Sequence, residues 1–157
     1  MPMFTRVPLL ASGIKTEDLL KDLLEVSLSV EDAARIAHWN IRGPEFVALH
    51  GLFGEVYDTA SKASDTIAER LVALGFVAPG IGALECDTFA KAPPAGDTPN
   101  GTKLSDALGL RLQAFSRMLL KVFEALTADR DHGTANLLIG IQNDIDKLIW
   151  KVQKFNP

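Results

Sequence analysis

The sequence predicts one all-α domain, a four-helix bundle with a long crossover between the second and third helices. Three observations predict it. Apolar residues recur every three or four positions over four long stretches of the 157 residues, the period of a helix with one buried face. Gly and Pro punctuate the ends of those stretches. The one long stretch without that period, 76–103, is rich in Gly and Pro and too long for an ordinary turn inside a compact domain.

The first helix is expected to open near Thr16, with Glu17 and Asp18 favouring its positive end, because a hydroxyl caps free N–H groups and acids complement the dipole. Its inward side carries Leu20, Leu23, Val30, Ala34, Ala37 and Ile41, and Gly43 stops it. Pro44 suits the first turn of the next helix, where its missing N–H has no partner to lose. That second helix has the strongest pattern, from Phe46, Leu49, Phe53, Val56 and Ala60 through Ala63, Ile67, Leu71 and Leu74, before Gly75. A third helix is expected after Lys103, using Leu104, Leu108, Phe115, Leu119, Val122 and Leu126. Thr134 is expected to cap a fourth, which carries Leu138, Ile145, Ile149 and Val152, with Lys147, Lys151 and Lys154 towards its negative end. Two antiparallel pairs joined by a link that must cross the bundle is the ferritin-like connectivity. The domain reads as 1–157, with 1–15 an extension and 76–103 the crossover, which has room for a short helix around Leu84 to Ala90.

Composition narrows the function classes. A chain of this length buries enough apolar surface to need neither disulfides nor a structural metal. Cys86 stands alone, which fits a reducing cytoplasmic location and an inert loop thiol. A net charge of −4 offers no field that draws in a polyanion. The apolar run 7–11 is too short for a membrane span and lacks the basic flank of a secretory signal.

Four polar residues border the apolar stripes: His38, His50, Asp65 and Glu69. The turn at Gly43-Pro44 brings both histidines to one end of a helical hairpin. Asp65 and Glu69 are four apart and share a helix face. Two imidazoles and two carboxylates make a reasonable set for a borderline divalent metal, iron or zinc. Yet fifteen residues of continuous helix separate His50 from Asp65, about 22 Å, so one chain cannot close such a site. Either the two halves are unrelated, or an oppositely running copy lays its carboxylates against these histidines across a two-fold axis. The plainer alternative is a hydrogen-bonded boundary pair of histidines and a solvated face in which Asp65, Glu69 and Arg70 form local ion pairs. No Glu-x-x-His occurs on two helices, which argues against a di-iron centre inside one bundle.

The stretch His38-Trp39-Asn40-Ile41-x-Gly43-x-x-Phe46-x-x-Leu49-His50-x-x-Phe53, followed by Asp65-x-x-Ala68-Glu69-Arg70-x-x-x-Leu74-Gly75, resembles the signature of the Dps family, the DNA-binding proteins from starved cells. Asp131-x-x-Thr134-x-Asn136-Leu137-Leu138 and Asp146-Lys147-x-x-Trp150 are similar to that family's last helix. The resemblance implies a hollow dodecamer of identical chains with ferroxidase centres at two-fold interfaces. It implies His38 and His50 from one chain, Asp65 and Glu69 from its neighbour, Fe(II) oxidised preferentially by hydrogen peroxide, and ferric mineral kept inside the shell.

One departure bears on that chemistry. The family usually carries an Asp four residues after the second histidine, and this chain has Gly54. Glu55 is adjacent but rotated by about 100°, and Asp58 lies about 12 Å from His50 along the helix. The expectation is one well-made metal position and a weaker one completed by water or Glu55. Trp39 follows a proposed ligand and reads as an aromatic near the centre or in interface packing; Trp150 reads as core or interface. The resemblance places Asp129, Asp131 and Asn136 beside pores through which iron enters, Asn136 replacing a common carboxylate; an acidic loop that starts a helix is the other reading. In residues 1–18, Arg6 and Lys15 balance Glu17 and Asp18, and no basic run follows at the C terminus, so weak DNA affinity is expected.

The leading expectation is therefore an iron-oxidising storage subunit. Its rivals are a non-catalytic shell or metal-binding protein whose ferroxidase site is weakened by Gly54, and a zinc site on the same residues.

Overall fold

The computed structural model describes residues 15–80 and 100–155. Four helices follow in order: α1 (Thr16–Asn40), α2 (Phe46–Ala73), α3 (Gly101–Ala128) and α4 (His132–Phe155). α1 packs along α2 and α3 along α4; the pairs then meet through α1 against α3 and α2 against α4. This is the ferritin-like bundle that the apolar spacing predicts. The expected short helix at Leu84 to Ala90, Cys86, and most of the N-terminal extension lie outside the described residues.

The need for a long crossover follows from where the helix ends lie. α3 begins against the start of α2: a Cβ on Gly101 would collide with Glu45 and Leu49 and press on Ile41. The far end of α2 lies instead at the start of α4, where Arg70 donates to Thr134 at 2.9 Å. The chain must therefore return along the whole of α2, 28 residues or roughly 42 Å, before α3 can begin. A larger residue at 101 would make the Glu45 and Leu49 side chains shift.

The predicted stripes are the core. Leu20, Leu23, Leu49, Phe53, Ile67, Leu71, Phe115, Leu119, Leu126 and Leu138 are fully buried, each contributing about 1.5–3 kcal/mol in hydrophobic transfer. Leu112 and Ile141 join them without having been singled out by the spacing. Two aromatics go the other way. Phe46 and Trp150 face outwards, Trp150 at 59% exposure, so within this chain Trp150 is not core.

Helix ends show where residue type alone misassigns a cap. Thr16 is the first residue of α1 rather than its cap; Lys15 holds that place and makes no side-chain capping bond. α3 starts before Lys103, because the Asn100 side chain accepts from the N–H groups of Thr102 and Lys103. Pro44 sits in a turn closed by Phe46 N–H to the Gly43 carbonyl, just ahead of α2. Gly75 does end α2, at φ 89°, whereas α1 stops at Asn40 with extended Ile41 as its cap, and Gly43, at φ 96°, belongs to the turn beyond it. After α2, the Gly75 and Phe76 N–H groups bond back to Val72 and Leu71, a left-handed cap sealed by buried Phe76. After α3 the same pattern recurs, with Arg130 at φ 63° in the position that favours glycine.

Candidate metal centre

His38 is the third residue from the end of α1, and His50 lies in the second turn of α2. The tight turn between them stacks the two half-buried rings, with centroids 3.7 Å apart and planes 21° from parallel. Each ring is bonded to the other residue's backbone: His38 Nδ1 lies 2.8 Å from the His50 carbonyl, and His50 Nδ1 lies 2.9 Å from the His38 carbonyl. A carbonyl only accepts, so both Nδ1 atoms carry hydrogen. In the neutral rings both Nε2 atoms then hold a lone pair, the state in which imidazole binds a metal.

One of these bonds has a structural role of its own. The His38 carbonyl belongs to the last turn of α1 and has no donor within that helix; the His50 ring supplies one. Neither Nε2 has a hydrogen-bond partner among the described residues. Near-parallel planes also limit what the pair can hold. A lone pair lies in its ring plane, and an ion about 2.1 Å from one nitrogen cannot lie in both planes, so the rings address two neighbouring positions. Phe46, one turn before His50, stacks on it at 4.8 Å between centroids and covers one side. Sequence reasoning missed that contact, although an aromatic four residues from a histidine was its visible sign.

Asp65 and Glu69 share the exposed face of α2 farther along, and neither makes a hydrogen bond or ion pair with another described residue. Asp65 lies on the rim of a groove between α1 and α2 lined by Leu24, Leu28, Glu31 and Ala68. Among the described residues, no three His, Cys, Asp or Glu side chains of one chain come close enough to hold a metal. The histidines are brought together and the carboxylates are not brought to them. Arg70 does not pair with Asp65 or Glu69; it crosses to α4.

Three expected site residues are placed differently. Glu55 is directed to α4, where it pairs with Lys151. Asp131 is the cap of α4 in place of Thr134: its Oδ1 accepts from the Thr134 N–H at 3.1 Å and its Oδ2 from the Thr134 hydroxyl at 2.6 Å. Arg70 stands 3.6 Å from the same carboxylate. Both Asp131 oxygens thus serve the start of α4. Asp129 caps α3 half-buried, whereas Asn136 is exposed and shares a surface hollow with His132 and Thr127. Trp39 is 68% exposed beside the histidines. Gly54 lies one turn beyond His50, and a Cβ there would meet Cε1 and Nδ1 of His38 at 3.3 Å. Remote from this end, burial, then Glu25 and Asp18, pushes the Asp22 carboxyl above its ordinary value. No described helix is long and apolar enough to cross a membrane.

Comparison with known proteins agrees with this architecture. The chain matches the family profile described as a ferritin-like domain over residues 17–156. It is 35% identical to a DNA protection during starvation protein of Agrobacterium fabrum over 132 residues, 82% of this chain and 81% of that one. It is 32% identical to DNA protection during starvation protein 2 of Bacillus anthracis over 75% of this chain and 80% of that one. Among solved structures, Dps from Microbacterium arborescens in the high iron form superposes with a TM-score of 0.79 at 26% identity, covering 88% of this chain and 90% of that one. A profile that spans nearly the whole chain, relatives above 30% identity and the bundle itself make this protein a member of the Dps family of ferritin-like proteins.

Proposed function

We propose that this chain stores and detoxifies iron by oxidising Fe(II) at centres shared between two copies, His38 and His50 coming from one and Asp65 and Glu69 from the other. Iron storage, ferroxidase activity and dodecameric assembly are typical of the family. The observation that carries the reading is the reciprocal locking of the two histidines. Both rings are fixed side by side in the same tautomer, with both Nε2 atoms left over. The opposing carboxylates, free of partners among the described residues, suit a hard cation and neutralise its charge.

Hydrogen peroxide, or dioxygen, is the oxidant in this reading. Two Fe(II) ions held at neighbouring positions each give one electron; with hydrogen peroxide and two protons the O–O bond breaks and two waters form, whereas dioxygen takes the same two electrons and two protons only as far as hydrogen peroxide. Pairing the electrons avoids release of hydroxyl radical, and the ferric product collects in the cavity of the shell. This chemistry protects DNA by removing its oxidant and needs no grip on it, which accords with the balanced charge of residues 1–18.

Stopped-flow absorbance after mixing Fe(II) with peroxide tests the proposal. The parent should oxidise iron well above the buffer rate, and the His38→Ala/His50→Ala double variant should lose at least about 100-fold of that excess, since disturbing a ligand's support alone costs 10–100-fold. A parent rate equal to buffer would favour the non-catalytic shell, and zinc in the purified protein would favour the zinc site.

A further inference from the structure

Trp39 ends a stripe along α1. Leu24, Leu28, Glu31 and Arg35 precede it at steps of three and four, so all five share one helix face. Towards the far end of that face, Leu24, Leu28 and Glu31 form one wall of a groove of about 310 Å³ whose other wall includes Asp65 and Ala68 of α2. At the near end the indole stands 68% exposed. Three helical turns separate Trp39 from Leu28, roughly 16 Å, so a chain cannot lay its own indole in its own groove.

A second copy can, and the divided centre fixes how it lies. With His50 opposite Glu69 of an antiparallel partner, Val47, three residues before, comes opposite Val72 of the partner subunit, three residues after. Both are exposed apolar side chains, at 83% and 60%, and neither was used to set the register. His38 bonds to the His50 carbonyl, so Trp39 stands level with His50 and crosses at the level of the partner's Glu69. Ala68, the preceding residue, belongs to the groove. Ser27 holds the α1 wall there, bonded to the Ala60 carbonyl and the Ser64 hydroxyl. We infer that Trp39 of one copy fills the α1–α2 groove of the other and donates its indole N–H to Asp65 there. A buried indole N–H needs an acceptor. Of the two rim carboxylates, Glu31 is held by Arg35 at 2.7 Å, whereas Asp65 has no bond or ion pair with a described residue. One Asp65 oxygen then serves the indole and the other the metal, an outer partner that orients a ligand. Trp39 is thus a positioning residue: the chain that supplies His38 also aims the carboxylate its neighbour supplies.

This register rests on the reading of the four ligands as one shared centre, and the experiment separates the two. In a Cys86→Ser background, a short bis-maleimide should link Val47→Cys/Val72→Cys protein into covalent dimers and leave each single-cysteine protein monomeric on a denaturing gel. Positions 47 and 72 of one chain are roughly 37 Å apart, so such a link joins two chains. Trp150→Phe leaves Trp39 as the one tryptophan of the chain, and iodide should barely quench it in the assembled protein. Trp39→Phe keeps a ring in the groove but has no N–H; its shells should form yet bind Zn2+, a redox-inert probe, roughly 10–100-fold more weakly, with Trp150→Phe as the parent. If Trp39→Phe does not assemble, 15N-tryptophan solid-state NMR decides: the Trp39 indole signal should move in Asp65→Ala and stay in Glu69→Ala. No dimer from the cysteine pair, or a freely quenched Trp39, would overturn the seat. Parent-like Zn2+ binding by Trp39→Phe, or an indole signal indifferent to Asp65→Ala, would overturn the positioning role. A protein that links and shields Trp39 as expected yet binds no Zn2+ would keep the seat and reject the metal reading.

Discussion

The two ends of α2 hold polar clusters that use their atoms in opposite ways. At its start, His38 and His50 spend one nitrogen each on backbone carbonyls and leave the other uncommitted. At its end, Asp131 gives both oxygens to the first turn of α4 and faces Arg70 as well. Both clusters carry residue types suited to metal, and the residue types do not distinguish them. The number of donor atoms left after internal bonding does. The first cluster is organised around what it does not satisfy; the second directs both oxygens inward and joins α2 to α4.

That contrast is broken most directly at the Asp131 end. Asp131→Ala should cost about 1–3 kcal/mol, the loss of a helix cap and of the partner of a half-buried Arg70, seen as a lower melting temperature of the assembled protein. Iron oxidation at saturating Fe(II) should be unchanged in the folded variant. A large loss of oxidation rate with the melting temperature intact would mean that Asp131 serves iron after all. A smaller effect sharpens the same corner. Arg130 sits at φ 63° between α3 and the Asp131 cap, a conformation that costs a side-chain-bearing residue roughly 1–2 kcal/mol, partly offset in glycine by its greater freedom when unfolded. Arg130→Gly should therefore stabilise by about 0.5–1 kcal/mol, measured by thermal unfolding, without altering oxidation.

The helices were legible because apolar spacing reports directly on which face is buried: Leu49, Phe53, Val56, Ala60, Ala63, Ile67 and Leu71 are buried as their spacing demands. Caps were less so, since Thr16, Thr134, Asn100 and Asp131 all have suitable side chains and only backbone geometry chooses among them. The pairing of His38 with His50 could be read from the short turn, and their separation from Asp65 from the rise of one helix. The position of the Glu55 carboxylate could not, because it depends on Lys151, almost a hundred residues on. Nor could the contact at Gly54, which exists only where α1 crosses α2 at the height that brings His38 over residue 54.

The account stands on a centre divided between two chains, and complementation measures that division. His38→Ala/His50→Ala and Asp65→Ala/Glu69→Ala proteins should each be inactive in Fe(II) oxidation. Dissociated together and reassembled at equal amounts, they should regain about a quarter of the parent rate, because half of the two-fold interfaces become mixed and each mixed interface restores one of its two centres. Reassembled shells that remain as inactive as their components would contradict it.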